Sequence, residues 1–323
     1  MHFPNLKALT RAAALAGIAI CTGAFAQYPA KPIRVVVPFP AGSATDAIGR
    51  ILGQSVGVAM GQSVLVDNKA GADGAIAAVD VANAAPDGYT LFLATNSPMS
   101  VVPAMRKSPP YDPVTDFAPI TDIGRYTFFL YANASLPVKN LQELIAHAKA
   151  NPGKLNYATG NTTGIVSFAQ MNSLAGIDIA HIPYKGEPAG ITDLVSNRVQ
   201  VMFATLTTGG AHVKDGKLRA LATSLPRRSP AFPEVPTMAE SGMPQFAIVS
   251  WAGLFAPAKT PREIVDRLNR EFVAAMKRPD VMAAMEKQAF FLSPSTPEQL
   301  GQYVKDQKES YARILRAAGV QPE

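Results

Sequence analysis

Ile33-Arg34-Val35-Val36-Val37-Pro38-Phe39-Pro40-Ala41-Gly42-Ser43-Ala44-Thr45-Asp46 decides the fold class. Ile33 to Val37 is an apolar run of strand length. Prolines and a glycine stop it, and the chain then takes a helical pattern from about Ala44 to Met60. The same unit returns downstream. Ser63 to Asp67 reads as a strand, Asn68 to Gly74 as a glycine-rich turn, Ala75 to Ala84 as a helix and Tyr89 to Ala94 as the next strand, entered through the turn Pro86-Asp87-Gly88. Strands alternating with helices predict α/β architecture: a mainly parallel sheet flanked by helices.

A second series of the same kind follows. Thr127–Tyr131, Leu155–Ala158, Ile179–Ile182, Val199–Ala204 and Leu218–Thr223 read as extended, and 140–150, 164–175 and 188–196 as helical. After Trp251 the pattern turns mainly helical, over 261–276, 279–288 and 297–317. Thr260 is a candidate cap and Pro261 suits a first helical position. These helices need a sheet to cover, and the second series already has its own. The sequence therefore predicts two lobes: an interrupted lobe 1 from 27–124 and 252–323, and a lobe 2 from 125–251. A chain of roughly 300 residues is long enough for two cores.

The amino terminus reads as an export signal. Lys7 and Arg11 are followed by an apolar run from Ala12 to Ala24, and Ala24-Phe25-Ala26 offers a small-residue cleavage site. The run is shorter than the ~20 residues of a spanning helix. The mature chain, from residue 27, is expected in the periplasm. Cys21, the single cysteine, lies within the signal, so the mature chain is expected to hold neither a disulfide nor a thiolate metal site. The formal charge of +6 is scattered rather than striped, which argues against a nucleic-acid partner.

Enzymatic signals fail one by one. Gly53-Gln54-Ser55-Val56-Gly57 has the Gly-x-Ser-x-Gly order of hydrolases, but Ser55 falls inside a helix instead of on a strand-to-helix turn. His147, His181 and His212 lack metal-ligand spacing, and no phosphate or dinucleotide loop occurs. No catalytic residue, metal or cofactor is expected. Binding candidates stand where strands end and helices begin, because amide N–H groups there point into a crevice. These are the loop carrying Ala41, Gly42, Ser43 and Asp46; the loop Thr159-Gly160-Asn161-Thr162-Thr163; and Thr95-Asn96-Ser97. Ser43 and Asp46 also have capping-box spacing, so Asp46 has a helix-start reading beside a ligand-contact one. Tyr184 is a further candidate, and Tyr126 and Trp251 stand open between lining a pocket and packing.

Several ordered motifs resemble one family. Pro38-Phe39-Pro40-Ala41-Gly42 with Asp46 and Arg50, Asp67 to Gly74, Pro86 to Leu91, Asp116 to Ile120, His181 to Gly186 and Pro236 to Gly242 resemble the Bug family of periplasmic solute receptors of tripartite tricarboxylate transporters. The resemblance runs from about Tyr28 to the C-terminus. It implies a type II-like, Venus-flytrap binding protein, monomeric, that closes on a small organic acid. Its partner would be either the membrane subunits of a transporter or a sensor protein. Carried over by position, the resemblance places lobe 1 contacts at Ala41, Gly42, Ser43 and Asp46 and lobe 2 contacts at Thr159 to Thr163. Family members commonly have a second glycine where this chain has Ser43, so ligand identity does not transfer.

Overall fold

The computed structural model describes residues 28–246, 248–317 and 322, and the expected export signal at 1–26 lies outside them. β1 (Ile33–Val37) leads to α1 (Ala44–Met60) and β2 (Val64–Asn68) to α2 (Ala75–Ala82). β3 (Thr90–Thr95) ends in a π-helical turn, Ser97–Val101, continued by α3 (Val102–Met105). Next come β4 (Phe117–Tyr126), β5 (Phe128–Asn133), α4 (Leu141–Ala150), β6 (Asn156–Thr159), α5 (Thr162–Ala175) and β7 (Ala180–Pro183). α6 (Glu187–Val195), β8 (Val201–Thr205), α7 (Leu206–Lys214) and β9 (Leu218–Thr223) continue the chain. It closes with β10 (Ser250–Pro257), α8 (Arg262–Met276), α9 (Pro279–Lys287), β11 (Phe290–Leu292) and α10 (Pro297–Ala317).

Among the described residues these strands form two sheets, in the orders β11-β4-β10-β3-β1-β2 and β7-β6-β8-β5-β9. Only Thr127 separates β4 of the first sheet from β5 of the second, and the chain has returned to the first by Ser250. α8 and α10 then pack on β4, in the first sheet.

The expected parallel character holds in only part of each sheet. β1 runs parallel to β2 and β3, and β6 to β7 and β8, but β10 is antiparallel to β3 and β4, and β5 to β8 and β9. The cause is the route of the chain. A strand reached through a helical crossover starts at the far end and runs with its neighbour. β5 and β10 instead enter from the other sheet, beginning where β8 and β3 finish, and so run against them.

α1 shows why one sequence pattern misleads. Ser43 caps its start, accepting from Asp46 N–H, and Gly61, at φ +68°, ends it. Gly49, Gly53 and Gly57 recur every four residues on one face, where an added Cβ would lie 3.2 Å from Leu93, 3.1 Å from Val64 and 3.0 Å from the Gln62 carbonyl. The glycines let the helix lie close on the sheet. The Gly-x-Ser-x-Gly match is therefore two packing glycines with Ser55 buried in mid-helix.

Each sheet has its own core. Trp251 is fully buried among Phe92, Phe117, Phe255 and Leu300, which settles it as a packing residue, and Phe129, Tyr131, Leu194, Met202 and Phe232 fill the second core. Full burial of one such side chain is worth about 1.5–3 kcal/mol. The expected Thr260 cap is absent. Pro261 stands at the cap position of α8, and the Thr260 hydroxyl donates to the Pro257 carbonyl instead.

Candidate functional site

The carboxyl ends of β1, β3, β6 and β8 face one another across the two sheets and line a narrow cavity in which a water-sized sphere has about 20 Å³ of free room. The first sheet contributes Phe39, the α1 start at Ser43, Ala44 and Thr45, and Thr95 and Ser97 after β3. The second contributes Gly160, Asn161 and Thr163 at the α5 start, Glu187 at the α6 start and Thr205 at the cap position of α7. Tyr126, Phe128 and Ser250, where the chain passes between sheets, complete the wall. Four helix N-termini therefore meet at one cavity, each with its positive dipole end toward it.

Direct hydrogen bonds join the two sides. Asn96 Nδ2 donates to Thr163 Oγ1 at 2.8 Å, and the Thr162 hydroxyl donates to Ser97 Oγ at 2.7 Å. Ser250 Oγ donates to Asn96 Oδ1 at 2.8 Å. Farther out, the Thr207 hydroxyl on α7 donates to Gln288 Oε1 at 2.8 Å. All four residues of the first two bonds are buried, so these pairings replace water on both partners.

Among the described residues the wall carries no lysine, arginine or histidine, and its one carboxylate is Glu187. Glu187 Oε2 accepts from Thr205 N–H (3.1 Å), the Thr205 hydroxyl (2.6 Å) and the Thr208 hydroxyl (2.8 Å), while Oε1 accepts from Asn161 Nδ2 (3.0 Å). Burial pushes its pKa up, against those four donors. Thr45 Oγ1 and Tyr126 OH lie 2.8 Å apart on the opposite side, and burial likewise raises the Tyr126 pKa, keeping the phenol protonated.

The sequence candidates divide into groups. Ser43, Thr95, Ser97, Gly160, Asn161 and Thr163 line the cavity. Asn96 and Thr162 lie buried behind it and supply the bonds between the sheets. Thr159 and Tyr184 border a neighbouring cleft, which shares only Phe39 and Gly160 with the cavity. The Thr159 hydroxyl lies 2.6 Å from His181 Nε2, and the Tyr184 hydroxyl donates to Asp193 at 2.7 Å. Ala41 and Gly42 are exposed and outside the wall.

Asp46 faces away from the cavity, accepting from Gly42 N–H at 3.1 Å and pairing with Arg50 at 2.9 Å. Burial opposes its ionisation, but Arg50 and Gly42 outweigh that and hold its pKa below the usual range. Its contacts are those of a helix-start residue. Ser43 serves both purposes, lining the cavity while its hydroxyl caps α1.

Sequence reasoning missed Phe39, Phe128, Glu187, Thr205 and Ser250. Glu187 follows Gly186 at a helix start, where an acid reads as an ordinary first-turn residue. Thr205 and Ser250 sit at the edges of α7 and β10, two elements whose periodicity gave no warning.

Comparison with known proteins identifies the family and the fold. Residues 48–320 match the family model described as the tripartite tricarboxylate transporter family receptor. Protein BugT of Bordetella pertussis is 35% identical over 323 residues, covering 96% of this chain and 98% of its own. The periplasmic binding protein BugD, 32% identical, superposes with a TM-score of 0.87 over 92% of this chain and 100% of its own. An R. palustris protein solved with adipate, 30% identical, does so at 0.89 over 92% and 100%. With the family model matched across most of its length, this chain belongs to the receptor family of the tripartite tricarboxylate transporters and is a solute-binding protein, not an enzyme.

Proposed function

We propose that this receptor captures a small carboxylate between its two sheets outside the cytoplasm and delivers it, as a monomer, to the membrane subunits of its transporter. Lobe 1 comprises residues 27–124 and 252–323, and lobe 2 residues 125–251. Ser43, Thr95, Ser97, Gly160, Asn161 and Thr163 contact the ligand, with Asn96 and Thr162 bonding lobe to lobe. Ala41, Gly42, Asp46, Thr159 and Tyr184 shape the loops around them.

The observation that carries this reading is the meeting of helix N-termini from both sheets at a cavity walled by hydroxyl, amide and backbone donors. An anion placed there is held by fixed dipoles, and because the donors come from two lobes it favours the form in which both reach it. Adipate in the similar R. palustris protein supports the carboxylate class.

A thermal-shift screen of mono-, di- and tricarboxylates and amino acids tests it. A ligand at 100 times its dissociation constant stabilises the folded state by about 2.7 kcal/mol, a readable rise in melting temperature. Native mass spectrometry of freshly purified protein gives the mass of any retained acid. No shift with any member of the screen, and no retained small acid, would overturn the proposal.

A further inference from the structure

We propose that Glu187 is the counter-ion for a cationic nitrogen on the ligand, so that the receptor prefers an aminocarboxylate to the plain carboxylate of the same skeleton; this rests on carboxylate capture by the same cavity. Glu187 is the first residue of α6, is 6% exposed and forms part of the cavity wall.

Two of its four hydrogen-bond partners can only donate. Thr205 N–H is a backbone donor to Oε2. Asn161 is oriented by its own Oδ1, which accepts from Gly164 N–H at 3.1 Å, so its Nδ2 must be the group facing Glu187 Oε1. The two threonine hydroxyls add donors to Oε2, at the α7 N-terminus. Burial opposes ionisation of Glu187, while these four donors favour the carboxylate, and Oε2 is fully engaged. Oε1 takes one protein donor, which leaves it acceptor capacity for a ligand.

Among the described residues no basic side chain on the wall balances Glu187. A ligand with carboxylates alone would place a second negative charge beside the buried first, where like charges repel more strongly than in bulk water. A ligand carrying both signs removes the conflict. Its carboxylate goes to the α1 and α5 starts, and its ammonium or other cationic nitrogen to Glu187.

Matched probes test this by titration calorimetry: L-glutamate against glutarate, L-aspartate against succinate, and 5-aminopentanoate against pentanoate. In a pair that binds, the amino member is expected to bind at least tenfold more tightly, and E187Q to abolish that preference. Equal or tighter binding of the des-amino member in any pair that binds, or a preference that a folded E187Q retains, overturns the inference and leaves carboxylate capture intact. If no member of any pair binds and the wider screen also fails, capture falls and takes the inference with it. The wild-type ranking decides the outcome even if E187Q does not fold.

Discussion

Asn96 Nδ2 of the first sheet donates to Thr163 Oγ1 of the second at 2.8 Å, with both residues buried. The rest of the Asn96 amide is committed as well, accepting from Ser250 at 2.8 Å and donating to Tyr311 OH at 3.2 Å. This one side chain ties the β3 end to α5, β10 and α10. Asn96→Ala leaves three buried polar groups short of a partner, at about 1–3 kcal/mol. If the bond to Thr163 is made only when the lobes meet, ligand affinity falls about 10- to 100-fold. Titration calorimetry measures it, and unchanged affinity would sink the idea that Asn96 latches the lobes together.

Gly186 gives a steric test of the same approach. Its φ of 178° is ordinary extended backbone, yet an added Cβ would lie 2.7 Å from Pro40 Cγ and Cδ on the first-sheet side. Gly186→Ala is expected to hold the lobes apart and weaken binding tenfold or more while the circular dichroism spectrum stays native. Gly42 is the control. It sits at φ +80° with nothing within 4 Å, so Gly42→Ala costs about 1 kcal/mol of backbone strain but leaves affinity unchanged. Equal affinity loss in the two variants would refute the assignment.

Tyr126→Phe removes one hydroxyl from the wall and keeps the ring, which packs edge-on against Phe290 at 4.8 Å and Phe128 at 6.5 Å. Thr45 loses its partner, so stability should drop by about 1 kcal/mol in urea denaturation. Binding of a ligand identified in the screen should weaken as well. A variant with wild-type affinity would place the Tyr126 hydroxyl outside the ligand's reach.

Asp80 supplies a pH-dependent prediction away from the cavity. It pairs with Lys69 at 2.6 Å and with Arg34 at 3.0 Å, and Arg34 also reaches Asp67 at 3.0 Å. Burial opposes its ionisation, but Lys69 and Arg34 prevail, and its pKa lies below the ordinary 3.8. A depressed folded-state pKa contributes stability above the unfolded value and loses it as the pH falls through the folded one. Asp80→Asn should therefore cost about 1 kcal/mol at pH 7, a modest figure for a partly exposed network, and less as the pH drops below 3.8. A gap that stays constant from neutral pH to the acid limb of denaturant titrations would contradict this.

The readable parts of the chain were those whose physics is local. The span of α1 follows from Ser43, the run to Met60 and Gly61, and the span of α10 from its amphipathic period. β4 and β10 escaped because Pro119, Asp122 and Gly124 in one and Gly253 in the other break strand alternation, and register shifts between the two absorb those breaks. α7 escaped because Gly209 and Gly210 lower its helix propensity, while the tight fit of Gly209 against Tyr131 requires a glycine there.

By itself the sequence determined the alternating α/β character, the loops that follow the strands, and the mid-helix place of Ser55, all consequences of spacing along one segment. Only the tertiary structure decided that Asp46 turns to Arg50, that Ala41 and Gly42 stay outside, and that Glu187, Thr205 and Ser250 share a wall with Ser43. Those outcomes depend on which strand ends meet across the two sheets, and on the burial that follows. Neither is written in the spacing of any one stretch of the chain.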